Sequence, residues 1–130
     1  MQARRFAQVF GAVYVVVGLL GFVVTGFSQF AATSGDKLIL FGVNPLHNLV
    51  HVAVGAAWLA ASRTETGARV VSALIGAVYL VVGVVGLFLV GGSSELNILN
   101  LNQPDNLLHF AIALAALYFG LARPRTEAVA

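Results

Sequence analysis

The chain of 130 residues is 59% hydrophobic and only 9% charged, with a formal net charge of +2 at pH 7. A soluble domain of this length cannot bury so much apolar surface in one core, so the composition indicates an integral membrane protein. The small net charge argues against nucleic-acid binding, and the absence of cysteine excludes disulfides, thiolate metal ligands and cysteine nucleophiles.

Four apolar runs predict four transmembrane helices. The first, Phe6 to Phe27, carries no charge and as a helix reaches about 33 Å, enough to cross the hydrocarbon core. Arg4 and Arg5 before it resemble the start of a signal peptide, but the apolar stretch exceeds a typical signal core, so we expect an uncleaved anchor. The other runs cover about 46–61, 70–90 and 107–122, with a tight turn at 63–67 and longer connections at 28–45 and 91–104.

The basic residues predict the orientation of these spans. In a four-span topology Lys37 lies on one side of the membrane, and the arginines lie on the other: Arg4, Arg5, Arg63, Arg69, Arg123 and Arg125. The positive-inside rule then places both termini in the cytoplasm. Trp58 and Tyr118 fall toward the cytoplasmic ends of the second and fourth runs, where interfacial aromatic residues are common.

An internal duplication organises the chain. The segment Gly11-Ala-Val-Tyr-Val-Val-Val-Gly18 in the first run matches Gly76-Ala-Val-Tyr-Leu-Val-Val-Gly83 in the third. The later parts match through three pairs: Asn44/Asn102, Asn48/Asn106 and His51/His109. We therefore predict a single transmembrane domain over 1–130, made of two tandem hairpins at about 6–62 and 68–122 and related by a pseudo-two-fold axis along the membrane normal. The recurring glycines favour close helix packing.

Two polar octapeptides, 44–51 and 102–109, contain all three histidines of the chain. Asn44-Pro45 is typical of a helix N-cap followed by proline, and Asn102 or Gln103 takes the equivalent place before Asp105. His47 and His51 are four residues apart, as are Asp105 and His109, so each pair lies on one helical face. We predict a polar cluster at the extracytoplasmic end of the bundle, with these side chains: Asn44, His47, Asn48, His51, Asn102, Asp105, Asn106 and His109.

Three interpretations of this cluster compete. The favoured one is a hydrogen-bonded structural network of Asn44, Asn48, Asn102 and Asn106 with the histidines and Asp105. A zinc-like metal site is the second, with the ligands His47, His51, Asp105 and His109. The third is haem b held between His51 and His109, which is weakened because Lys37 is the one outer cation available to its propionates. No catalytic residue is predicted.

Apolar segments precede each motif. Residues 38–41 and 96–101 are suited to the membrane interface, where simple anchoring is favoured over a lid above the polar cluster.

The Asn-x-x-His-Asn-x-x-His string at 44–51, between a long span and a short one, resembles a family of small bacterial membrane proteins known as a domain of unknown function. The resemblance covers about residues 5–122 and implies a four-span membrane protein without an assigned activity or cofactor. In the second copy Asp105 replaces the first histidine, and Pro104 is shifted by one position relative to Pro45.

The predicted architecture is therefore an all-α, four-helix transmembrane bundle in the plasma (inner) membrane. The favoured function is that of a non-enzymatic accessory or interaction protein. Its expected partners are the lipid bilayer and either another membrane protein or a second copy of the chain, with no nucleic acid. The alternatives are a metal- or haem-binding redox protein and a small transporter or channel component.

Overall fold

The computed structural model describes residues 2–90 and 95–122, and within them the chain is helical. Its elements are α1 (Gln2–Thr25), β1 (Lys37–Leu38), β2 (Phe41–Gly42), α2 (Pro45–Ala61), α3 (Glu65–Leu89) and α4 (Gln103–Leu121). Three of these helices, α1, α3 and α4, are long and apolar enough to cross a membrane. The protein is thus an all-helical membrane protein, with one antiparallel two-residue ladder between β1 and β2 among the described residues.

Glycines bring α1 against α2. Gly11 lies against Leu59, Gly18 against Val52 and Gly21 against Asn48, so the two helices run antiparallel. A Cβ atom at Gly18 would lie 2.7 Å from Cγ2 of Val52, closer than two such atoms can approach. Small residues on this face therefore let the backbones come together, and the resulting van der Waals packing helps the helices to associate in lipid.

A second antiparallel pair is formed by α3 and α4. Gly76 lies against Leu117, and a Cβ there would be 2.8 Å from the Leu117 backbone nitrogen. Gly83 faces the ring of Phe110, and Gly86 faces the amide of Asn106. The described helices therefore associate as two hairpins, α1 with α2 and α3 with α4.

An aromatic cluster joins the two hairpins in the interior. The Trp58 ring lies 5.1 Å from the Tyr14 ring and 5.6 Å from the Phe6 ring, in edge-to-face contacts. Its indole Nε1 donates a hydrogen bond to Ser72 Oγ at 3.1 Å. The expectation of an interfacial Trp58 is therefore wrong: the side chain is fully buried, because a hydroxyl on α3 pairs its polar atom inside the protein. Tyr118 is exposed.

The start of α1 is tied to the connection between α2 and α3. The Glu65 carboxylate accepts hydrogen bonds from the backbone nitrogens of Ala3 at 3.1 Å and Arg4 at 3.3 Å. The Arg4 Nε donates to the Ser62 carbonyl at 3.0 Å. These bonds satisfy free amides in the first turn of α1 and fix the two hairpins to each other at this end. Residues 91–94 of the predicted outer connection, and Arg123 and Arg125, lie outside the described residues.

Candidate functional site

Asparagines cap the helices that carry the histidines. The Asn44 Oδ1 accepts a hydrogen bond from the His47 backbone nitrogen at 2.8 Å at the start of α2. At the start of α4, Asn102 and Asp105 form a reciprocal capping box, with N···O distances of 3.1 and 2.9 Å. These bonds satisfy amides that a helix leaves free in its first turn. The predicted caps are confirmed, and Asn102 rather than Gln103 is the cap of α4.

Side-chain amide nitrogens of asparagines hold the two long connections together. Asn44 Nδ2 donates to the carbonyls of Ala32 at 2.8 Å and Ile98 at 2.7 Å, which belong to different connections. Further bridges run from Asn100 Nδ2 to the carbonyls of Asp36 and Val43, at 3.1 and 3.0 Å, and from Asn102 Nδ2 to Leu40 at 2.9 Å. These backbone carbonyls lie outside the helices and need hydrogen-bond donors. The asparagine amides supply the donors and thereby fix both connections over the helix starts.

His47 and His51 form a hydrogen-bonded pair whose protons can be assigned. His47 Nδ1 lies 2.9 Å from the Gly42 carbonyl oxygen, which only accepts, so in the neutral ring this nitrogen carries the proton and Nε2 carries a lone pair. His51 Nε2 lies 3.2 Å from that His47 Nε2 and therefore donates to it. In the neutral ring this leaves His51 Nδ1 as an acceptor, and that atom is buried without a hydrogen-bond partner among the described residues.

Tyrosines from α1 and α3 support the imidazoles. Tyr14 stacks on His51 with ring centroids 4.8 Å apart, and Tyr79 meets His109 edge to face at 5.1 Å. The His109 ring lies 6.2 Å from the His47 ring, so α2 and α4 bring all three histidines together. His109 is buried, and within the described parts of the chain its Nδ1 has no hydrogen-bond partner.

Asn48 and Asn106 occupy matching positions but differ in their partners. The Asn48 Nδ2 donates to Thr25 Oγ1 at 2.9 Å. Both polar atoms of the buried Asn106 amide lack a partner within residues 2–90 and 95–122. Thr25 comes four residues after Gly21, which contacts Asn48, whereas Val90 comes four residues after Gly86, which contacts Asn106. By this spacing the second hairpin has a valine where the first has a threonine.

A cavity of about 200 Å³ lies where the imidazoles meet the β1–β2 hairpin. His47, His51, Asp105 and His109 all line it. Asp105 Oδ2 already accepts two backbone amides, from Gly42 at 3.0 Å and Asn102 at 2.9 Å. In the described ranges no group of three or more histidine or acidic side chains is arranged to hold a metal ion. The metal and haem assignments therefore stay predictions.

The model of a family described as a domain of unknown function (DUF4383) matches residues 4–122, which include all the described helices apart from the first residues of α1. The chain belongs to the DUF4383 family. This membership confirms the resemblance drawn from the motif at 44–51. No curated protein and no solved structure matches the chain.

Several parts of this DUF4383 site were not predicted from the sequence. Gly42 belongs to no recognisable sequence motif, yet its amide bonds Asp105 and its carbonyl bonds His47. The stacking of Tyr14 on His51 depends on how α1 sits against α2. The duplication does mark Tyr14 and Tyr79 as matched positions with polar atoms inside apolar runs, and the structure adds the rings that they contact, His51 and His109.

Proposed function

We propose that this DUF4383 protein is a four-span protein of the bacterial plasma (inner) membrane that acts as a non-enzymatic accessory or interaction subunit. The main support for the proposal is that polar side chains at and near the helix starts bind backbone groups of the protein itself. Asn44, Asn100 and Asn102 bond backbone groups of the two connections, which is a structural use. Such bonding makes one end of the bundle a fixed surface on which a partner can dock.

The length and packing of α2 support a fourth span. Its 17 residues extend for about 26 Å, close to the roughly 30 Å of a hydrocarbon core. It also runs beside α1 from Asn48, opposite Gly21, to Leu59, opposite Gly11. A small hydrophobic mismatch of this size is accommodated by local thinning or by polar residues at the helix ends.

Matched contacts support a tandem repeat of two hairpins. Gly21 meets Asn48 in the first hairpin as Gly86 meets Asn106 in the second. Gly11 meets Leu59 as Gly76 meets Leu117. Equal contacts at equal positions are expected if each unit folds in the same way and in the same direction across the membrane.

The ends of the bundle support the orientation with both termini in the cytoplasm. Arg4 bonds Ser62, so the start of α1 and the connection that contains Arg63 lie at the same end. Lys37 lies on β1 and pairs with Gly42 on β2. Because the Gly42 carbonyl bonds His47 near the start of α2, Lys37 lies at the opposite end of the bundle. This distribution agrees with the positive-inside rule when the polar cluster faces the extracytoplasmic side.

Exposed apolar side chains beside the polar cluster support an interaction role. Ile39 and Leu40 form the tip of the β1–β2 hairpin, and both are largely exposed, as is Leu96 in the other connection. Hydrophobic residues grouped on a rigid surface are typical of a contact with a protein partner or with the membrane interface. The proposed partner is another membrane protein.

Introduced cysteines test the topology, because the chain has none of its own. We expect Lys37→Cys to react with a membrane-impermeant maleimide in intact spheroplasts, and Thr66→Cys to react only after permeabilisation. The reverse result would contradict the orientation. Labelling of both positions from the same side would contradict the four-span topology.

Chemical cross-linking in membranes, followed by purification of the full chain, tests the accessory role. We expect one stoichiometric membrane-protein partner that is lost in the Ile39→Ala/Leu40→Ala variant. The Leu74→Ala/Val78→Ala variant is the control, since it shortens exposed apolar side chains on α3 instead. A chain that purifies alone or only with itself would contradict the role.

One observation favours metal binding, the first part of the metal- or haem-binding alternative, as the second candidate. The Nε2 atoms of His47 and His51 lie 3.2 Å apart. Two imidazole ligands at about 2.0–2.1 Å from a tetrahedral zinc ion have a similar separation. Elemental analysis and an absorption spectrum of the purified protein test this candidate and the haem alternative. Stoichiometric metal or a Soret band, lost in His51→Ala and His109→Ala, would support it, whereas a metal-free protein with a clean spectrum would contradict it.

A further inference from the structure

The cavity beside the three imidazoles has the size of a small aromatic molecule. Its volume is about 200 Å³. A buried apolar cavity of about 150 Å³ is enough to admit benzene. The space therefore accommodates one six-membered ring with a few small substituents.

The walls of this cavity select against charge. Phe10 and Val17 line it from α1, and Leu108 and Ile112 line it from α4. Within the described part of the chain the lining includes no lysine or arginine. Oδ2 of the Asp105 carboxylate is engaged by the amides of its own cap and of Gly42. An uncharged ligand is therefore favoured, because a buried charge without a partner is costly.

The entrance to the cavity is apolar. Two of its lining residues are also exposed at the surface of the protein: Val13 on α1 is 48% exposed, and Ile39 at the hairpin tip is 84% exposed. In a membrane-spanning chain such a rim faces lipid acyl chains or the interface. A ligand that reaches the cavity by this route must be soluble in the bilayer.

His109 places a polar side chain in the lining of this apolar space. The side chain lines the cavity and is only 4% exposed, and its Nδ1 has no hydrogen-bond partner among the described residues. A neutral imidazole has one donor and one acceptor, so it can pair with either a carbonyl or a hydroxyl oxygen of a ligand. A few polar groups in a mostly apolar pocket are typical of small-molecule sites.

We propose that this cavity binds an uncharged, lipid-soluble molecule of the quinone or hydroquinone class, with its six-membered ring between α1 and α4 and a ring oxygen paired with His109. This proposal goes beyond the accessory role and does not depend on it. It assigns no reaction to the bound molecule.

Trp58 provides a built-in measurement of binding. It is the single tryptophan of the chain, and its ring lies 5.1 Å from that of Tyr14, which lines the cavity. Quinones quench tryptophan fluorescence at short range. We expect dimethylbenzoquinone to quench Trp58 with a saturable, stoichiometric titration of the purified full chain in detergent.

Matched variants separate the cavity from unspecific partitioning. Val17→Phe fills the cavity and is expected to weaken binding at least about tenfold, the change that roughly 1.4 kcal/mol produces. Val16→Phe makes the same change on the adjacent residue, which is 54% exposed and outside the cavity lining, and should bind as the wild type does. Linear, unsaturable quenching of the wild type would overturn the proposal, and so would equal binding by a folded Val17→Phe variant.

Competition tests the role of the ring oxygens. Dimethylhydroquinone should displace the quinone about tenfold better than xylene, which has the same methylated ring without oxygens. His109→Phe keeps a ring of similar size and should remove this preference while xylene competes as before. Equal competition by the two molecules in the wild type would overturn the assigned ligand class. If Val17→Phe fails to fold, as judged by circular dichroism, the wild-type titration and His109→Phe decide the question.

Discussion

His47 and Asp105 bind the two sides of one residue, Gly42. The His47 Nδ1 donates to the Gly42 carbonyl at 2.9 Å, and Asp105 Oδ2 accepts from the Gly42 amide at 3.0 Å. Each side chain comes three residues after its cap, Asn44 or Asn102. The Gly42 amide and the Asn102 amide both need an acceptor, and one carboxylate oxygen of Asp105 accepts both, whereas an imidazole nitrogen offers a single lone pair. This pairing gives a physical reason for an aspartate where the first octapeptide has a histidine.

Loss of the Asp105 carboxylate should weaken the fold. Asp105→Ala removes the acceptor of both the Gly42 and the Asn102 amides, and we expect the free energy of unfolding to fall by about 2 kcal/mol. Asp105→Asn keeps an accepting oxygen and should lose less. Denaturant titration in detergent, followed by circular dichroism, measures the change. The control is Asp36→Ala, which removes the same charge from an exposed side chain in the same region; an equal loss there would contradict the account.

A hydroxyl placed opposite Asn106 should stabilise the second hairpin. Asn48 bonds Thr25 Oγ1, whereas the buried Asn106 amide has no partner among the described residues, and Val90 stands in the position that matches Thr25. We expect Val90→Thr to raise the free energy of unfolding by about 1 kcal/mol and Thr25→Val to lower it by about the same amount. Thermal unfolding of both variants checks these signs. A loss of stability in Val90→Thr would contradict the matching of the two positions.

The sequence predicted those parts of the protein that depend on local or repeated patterns. Asn44-Pro45 is sufficient to define a helix start, because the cap and the first turn interact within a few residues. The glycines of the first run likewise predicted close packing, which Gly18 shows against Val52. The apolar run that begins at 107 is shorter than α4, and the cap predicted at Asn102 or Gln103 marks the polar first turn that this run leaves out.

Contacts between distant segments could not be predicted from the sequence. The position of Trp58 near the end of its apolar run is typical of an interfacial residue. In the structure Ser72, on another helix, accepts a hydrogen bond from the indole in the interior. The β1–β2 hairpin consists of two-residue strands, too short for any periodicity to appear. The placement of Gly42 between His47 and Asp105 depends on the relative position of both hairpins. Such contacts are set by tertiary packing, which a single sequence does not display.

Close contact at Gly21 should make an alanine there destabilising. In an open helix, alanine is favoured over glycine by roughly 0.5–1 kcal/mol. At Gly21, however, the added Cβ would overlap the side-chain amide of Asn48 and disturb its bond to Thr25. Overpacking costs about 1–3 kcal/mol, so the clash outweighs the gain and we expect a net loss of stability. Leu20→Ala, at a neighbouring exposed position, is the control for detergent unfolding, and increased stability in Gly21→Ala would contradict the packing.

Removal of the Ser72 hydroxyl should affect both stability and fluorescence. Ser72→Ala leaves the buried Trp58 Nε1–H without its acceptor, and we expect unfolding to become easier by about 1–2 kcal/mol. The emission of Trp58, the single tryptophan, should shift to shorter wavelength because the indole loses a polar contact. Ser28→Ala, in an exposed position, should change neither measurement. Because Trp58 packs against Tyr14, and Tyr14 stacks on His51, a shift without a loss of stability would mean that the aromatic cluster rearranges around the site.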